Sequence, residues 1–243
     1  MARILIALAD RDFDTTEVVQ PWRVLTEAGH EVVFSTESGH QAACDPLLLT
    51  GVLFGQLGAK PDSVALYHKL EHTKSFCEPS EWSKLRATDF DALILPGGHA
   101  PGMRQYLESS TLQTLVRSFY EQDKPIGAIC HGPLVLARTK TERGESVIAG
   151  RTLTCLPFWM EALAYGISAW KLGKYYRTYD AYVQREIEEA VGSQGTFLRG
   201  PLSNRYNRPF VVSDQNLITA RWPGDAVAFA HRLRERVEEA EGQ

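Results

Sequence analysis

Short apolar runs alternate with helix-length amphipathic segments along most of this 243-residue chain, and few folds satisfy that alternation. RILIALA (3–9), HEVVFS (30–35) and FDALILPGG (90–98) are rich in leucine or β-branched residues and bounded by turn formers. Strands buried on both faces of a sheet read this way. Between the first two lies TEVVQPWRVLTEAG, one helix long, with Thr16 as its expected N-cap and Gly29 as its stop. A strand, a helix and a further parallel strand form a right-handed βαβ unit. A second unit runs from DALILPGG through the helical pattern of GMRQYLESSTLQTLVRSFYEQ to a strand at KPIGAIC, after which PLVLARTK continues as a helix. Further strands are expected at RTLTCL, RPFVVSD and NLITARW, with helices at YDAYVQREIEEAVG and DAVAFAHRLRERVEEA. The expected fold class is α/β, a three-layer sandwich on a mostly parallel, flavodoxin-like sheet with a nucleophile elbow.

Residues 37–88 break the rhythm, carrying Gly, Pro, His and aromatic residues without strong periodicity. They are too long for an ordinary connection and are expected to form a cap-like insertion, or lid, on a single domain spanning 1–243. Charge excludes one class of partner. Twenty-six basic against thirty acidic side chains give a net charge of −4, with no basic stripe to hold nucleic acid. No run approaches the roughly 18 apolar residues of a membrane span, and MARILIALAD has no signal-peptide pattern, so a cytoplasmic protein without membrane contact is expected. Cys44, Cys77, Cys130 and Cys155 show no C-x-x-C spacing, which fits free thiols in a reducing compartment.

The chemistry concentrates where expected strands end. In GAICHGP (127–133) a cysteine follows an apolar strand, and small residues then lead into a helix. That order approximates a nucleophile elbow, which pushes the Cys130 side chain out of the turn. Amides at the start of the next helix are expected to lower the thiol pKa, and the His131 amide is placed to face an oxyanion. LPGGH (95–99) ends a neighbouring strand: Gly97 and Gly98 allow close approach of backbone to a ligand, the Gly98 amide is a candidate second oxyanion donor, and His99 borders the same place. Glu17, followed by apolar residues, is either a carboxylate drawn into a cleft as a proton shuttle or a helix-dipole glutamate in the first turn. His131 is a candidate base, but its ring needs a third group to orient it, for which Glu161 in PFWMEALAYG is the candidate. His68, His72 and Cys77 have a metal-like spacing that reads more simply as a solvated helix face. Trp159, Trp170, Tyr175 and Tyr176 read as packing or interface residues, and RWPGD (221–225) as a helix cap.

Taken in order, TTEVVQPW, LPGGH, AICHGP and TARWPGDA resemble the ThiJ/PfpI superfamily, the class I glutamine-amidotransferase-like fold. The insertion resembles that of its larger glyoxalase and chaperone branch. The resemblance implies that Cys130 is the nucleophile, Glu17 the carboxylate touching its sulfur, His131 the base, and Glu161 the third member of a triad. The Gly98 and His131 amides would form the oxyanion site, with Gly97 and His99 beside it. It also implies a glyoxalase that needs no cofactor or metal, turning small 2-oxoaldehydes such as methylglyoxal into 2-hydroxy acids. The same frame carries two alternatives, a cysteine amidase or peptidase and a non-enzymatic stress chaperone or redox sensor. Homodimerisation and a small aldehyde ligand are the partners the family suggests.

Overall fold

The computed structural model describes residues 1–51, 57–201 and 208–242. Strand β1 (Arg3–Ala7) lies near the centre of the sheet and is followed by a short strand β2 (Arg11–Phe13). Helix α1 (Thr15–Glu27) then leads to β3 (Glu31–Thr36). The next segment holds β4 (Ala43–Cys44), α2 (Pro46–Thr50), α3 (Pro61–Leu70), α4 (Lys74–Cys77) and the edge strand β5 (Ser80–Glu81). Strand β6 (Ala92–Leu95), helices α5 (Met103–Glu108) and α6 (Ser110–Glu121), and strand β7 (Ile126–Ile129) build the second βαβ unit. After α7 (Pro133–Arg138) come β8 (Thr152–Leu153), α8 (Phe158–Leu172), α9 (Val183–Val191) and β9 (Thr196–Phe197). A hairpin of β10 (Val211–Asp214) and β11 (Leu217–Ala220) precedes the last helix, α10 (Ala226–Glu241).

Seven strands form the main sheet in the order β10-β11-β7-β6-β1-β3-β5. All neighbours run parallel except β10 and β11. Strands β6 and β7 are buried throughout, which is why their sequences are continuous apolar runs rather than alternating ones. Helices α1 and α10 pack together on one face, while α5 and α6 pack against α7 on the other, completing three layers. Gly127 on β7 is a packing requirement: a Cβ there would come within 2.7 Å of the Phe229 ring on α10.

Several elements differ from the expectations. Asp14, not Thr16, caps α1: its Oδ1 accepts from the Thr16 and Glu17 amides at 2.8 and 3.1 Å. A carboxylate one position before the helix satisfies two orphan donors where the threonine satisfies none. The long helical pattern at 102–122 divides at Ser109, whose hydroxyl accepts from the Leu112 amide and restarts the chain as α6. RTLTCL contributes only β8, paired with β9 outside the main sheet. Within 37–88, the described residues do more than cover strand ends, since β5 extends the sheet beside β3 and α3 packs on α1. Residues 52–56 of that segment lie outside the described residues. No helix among the described residues is long and apolar enough to cross a membrane.

Candidate active site

The sheet order decides what meets at its carboxyl edge. β6 lies between β1 and β7, and the chain departs in opposite directions on either side, the switch point where open α/β sheets bind ligands. The three adjacent strand ends deliver Glu17 from the start of α1, Gly97 to His99 after β6, and Cys130 with His131 after β7. Residues separated by more than a hundred positions thus share one site.

Cys130 adopts φ +61°, left-handed backbone that a non-glycine residue holds only at a cost of about 1–3 kcal/mol. Neighbouring contacts impose it. The Cys130 amide donates to Ala220 O at 3.1 Å, and its carbonyl accepts from the Leu156 amide at 3.2 Å. Gly132 is forced by crowding, because a Cβ there would lie 2.0 Å from Leu95 O. Gly97 is equally constrained. A Cβ would fall 2.6 Å from the His131 amide, 2.8 Å from Cys130 Cβ and 2.9 Å from Glu17 Oε2. Its two neighbouring strand ends therefore close around it.

Glu17 is fully buried, and its Oε2 accepts the Gly97 amide at 2.8 Å. Oε1 has no hydrogen-bond partner, and the Cys130 side chain lies close enough to the carboxyl to favour its ionised form. Burial pushes the Glu17 carboxyl well above its usual range, the charge of Asp14 adds to this, and the Gly97 amide opposes it. Asp14 is itself pushed up to about 7, chiefly by burial.

The expected depression of the thiol pKa does not occur. Cys130 is 1 % exposed, and burial raises it well above the usual thiol value, helped by the charges of Glu17 and Asp14. The His131 backbone N–H opposes the rise. Two nearby carboxyls and loss of water outweigh a six-residue helix that begins three positions later. The resting sulfur is therefore held as a thiol.

His131 is the basic side chain beside that sulfur, but its ring is not held in the arrangement expected. Its Nδ1 lies 3.4 Å from Cys130 Sγ, and its Nε2 lies 3.4 Å from Thr178 Oγ1. Thr178 donates its single hydroxyl proton to His99 O at 2.7 Å, so toward the imidazole it can only accept. His131 consequently carries its proton on Nε2 and turns a bare Nδ1 toward the sulfur. Burial, with His99 and Arg138, holds the ring neutral by moving its pKa well below the usual histidine value.

Glu161 is not part of this relay. Its Oε2 accepts the Val183 amide at 3.0 Å at the start of α9, and its Oε1 lies 3.7 Å from Arg177 Nη1. Burial raises it to about 7, against the opposing Val183 amide and Arg177. Its oxygens are committed to a helix start and an arginine, leaving Thr178 as the orienting group. Thr178 sits in the connection between α8 and α9, where Arg104 Nε donates to its carbonyl at 2.7 Å. No sequence pattern marks that hydroxyl.

The structure also brings His99 to this cluster. His99 Nε2 is 3.9 Å from Cys130 Sγ, and its ring meets His131 edge-on with centroids 4.6 Å apart. Burial lowers His99 to about 4, despite an opposing effect of the Tyr176 backbone carbonyl. Among the described residues no backbone or side-chain oxygen accepts the Gly98 amide or the His131 amide. Both donors are thus uncommitted to oxygen. His99 also borders a cavity of about 600 Å³ with a mostly apolar lining that includes Leu156, Met160, Ala164 and Trp222. His68 instead pairs with Glu71 on an exposed helix face, and Trp170 is largely exposed rather than packed. RWPGD holds a buried ion pair, Arg221 Nε to Asp225 Oδ2 at 2.9 Å.

A family model described as ThiJ/PfpI family-like matches residues 8–206, most of the chain. The protein belongs to that family. Among its relatives, a protein of Pyrococcus horikoshii named as a deglycase is 28% identical over 58% of this chain and 68% of its own. A protein of Schizosaccharomyces pombe named as a glutathione-independent glyoxalase is 28% identical over 57% of this chain and 56% of its own. The crystal structure of glyoxalase III from Candida albicans shares the fold with a TM-score of 0.72 and 19% identity, covering 97% of each chain.

Proposed function

We propose that the protein is a cysteine-dependent glyoxalase that converts 2-oxoaldehydes such as methylglyoxal to 2-hydroxy acids without glutathione. The observation that carries this reading is Glu17: a fully buried carboxyl with one oxygen unpartnered beside the Cys130 sulfur. A hydrolase has no evident use for a second proton carrier at that position, whereas an internal redox rearrangement of adjacent carbons requires one.

In the proposed reaction, Cys130 Sγ attacks the aldehyde carbon while its proton passes to His131 Nδ1. The carbonyl π pair becomes an alkoxide facing the Gly98 and His131 amides. Glu17, in its ionised form, takes the hydrogen on that carbon as a proton and returns it to the adjacent carbon of the resulting enediolate, while the proton held by His131 passes to the former ketone oxygen, which becomes the 2-hydroxyl. This leaves a thioester of the 2-hydroxy acid. One water hydrolyses it, releasing the acid and restoring the thiol, so methylglyoxal plus water balances to lactate.

The geometry favours this over the peptidase alternative. A leaving amine must take its proton from an imidazolium, and here a neutral hydroxyl, not a carboxylate, holds the ring. The names of the deglycase and glyoxalase relatives support aldehyde chemistry. The apolar cavity is larger than a three-carbon substrate needs and suits 2-oxoaldehydes with a larger apolar substituent. The test is lactate formation from methylglyoxal in glutathione-free buffer by wild type, Cys130→Ala and Glu17→Gln. Wild type is expected to form lactate, the cysteine variant none, and the glutamine variant at least about 100-fold less. Folded wild-type protein that forms no 2-hydroxy acid from methylglyoxal or from an aryl or alkyl 2-oxoaldehyde removes the reading.

A further inference from the structure

Three ligand residues converge beside the cavity wall that His99 lines: Cys130, His99 and His131 each offer one ligand atom, all within 4.8 Å of one another. We propose that these atoms bind one thiophilic divalent cation of the zinc type, and that the bound ion masks the nucleophile. The proposal does not depend on the glyoxalase reading, since it concerns only ligand geometry.

The separations match the chemistry. With zinc–sulfur bonds near 2.3 Å and zinc–nitrogen bonds near 2.05 Å, tetrahedral angles place sulfur and nitrogen about 3.6 Å apart. The observed Sγ distances are 3.4 Å to His131 Nδ1 and 3.9 Å to His99 Nε2. Both sulfur–nitrogen separations thus lie within about 0.3 Å of the tetrahedral value.

The donor set is also in the required state. Thr178 fixes the His131 proton on Nε2, leaving Nδ1 with its lone pair directed at the sulfur. A hydroxyl that orients the far nitrogen of a ligating histidine is a typical outer support, and Arg104 holds the Thr178 backbone in place. Three protein ligands leave a fourth position, and His99 lies on the cavity wall through which water or a carbonyl oxygen can reach it. Binding releases one proton, that of the thiol, to solvent, and no electron is transferred.

Cobalt(II) is the probe, since thiolate coordination gives it a near-ultraviolet charge-transfer band. The full-length protein, stripped with chelator, is titrated as wild type, Cys130→Ala, His99→Ala and Cys77→Ala, with circular dichroism confirming that each variant is folded. Wild type and Cys77→Ala, which lacks only the exposed thiol, are expected to develop a one-to-one band that zinc displaces, with one proton released per ion. Cys130→Ala is expected to show none. In His99→Ala the affinity is expected to fall by more than the roughly 10- to 100-fold that loss of a supporting residue costs. No one-to-one band in wild type, a band retained in Cys130→Ala, or unchanged affinity in folded His99→Ala each overturns the proposal.

Discussion

Thr178 and Glu17 act on the protonation of His131 and Cys130, the two groups that carry the proposed reaction, and each gives a measurable consequence. Thr178→Val keeps the shape but removes the acceptor for His131 Nε2–H, so the ring loses its fixed tautomer. Turnover is expected to fall about 10- to 100-fold, part of the usual worth of a positioned base, with KM little changed. Steady-state kinetics of the folded variant check this. Glu17→Gln removes a negative charge that raises the Cys130 thiol. Alkylation of the Cys130 peptide by iodoacetamide, followed by mass spectrometry, is therefore expected to begin at lower pH in the variant than in wild type, even though turnover is lost. Cys130, Gly97 and Glu17 are legible in the sequence because an elbow and a close backbone approach demand particular residue types. Thr178 is not, because a hydroxyl on a connecting segment 47 positions from its partner carries no pattern.

At the scale of elements, two carboxylates placed near helix starts behave differently from what their sequence neighbourhoods suggest. Glu161 holds the first amide of α9 and faces Arg177. Glu161→Ala is expected to cost about 1–3 kcal/mol of stability in urea unfolding, as for a buried donor left unsatisfied, while kcat stays within about threefold of wild type. A triad acid would show the opposite split. Asp14 caps α1, yet burial raises it from 3.8 to about 7. A carboxyl that binds its proton more tightly when folded stabilises below its unfolded pKa, and that contribution disappears as pH rises through the folded one. Wild-type stability is therefore expected to decline between about pH 4 and 7. In Asp14→Asn, which still caps, the decline is expected to be shallower. The strands and the outer helices followed directly from apolar runs and helical periods. The N-cap assignment missed because Asp14 and Thr16, two positions apart, are both residue types that favour that position, and only the backbone dihedrals choose between them.

For the whole molecule, strand order turns a one-dimensional pattern into a site. Alternating strands and helices specify a parallel sheet, but nothing in the chain's periodicity states that β6 lies between β1 and β7, which is what brings Glu17 to Cys130. The electrostatic character of the site is equally a three-dimensional product. An elbow read in isolation suggests an ionised thiol, whereas Asp14, Glu17 and burial together make a protonated one. In the proposed reaction, attack then depends on proton transfer to His131 as the carbon–sulfur bond forms. The most direct measurement is peptide mass spectrometry of protein acid-quenched during turnover of methylglyoxal. The account predicts one substrate-derived acyl group on the Cys130 peptide, reversed by hydroxylamine and absent when substrate is omitted. Continued 2-hydroxy acid formation by Cys130→Ala, with no adduct on wild-type Cys130, would contradict it.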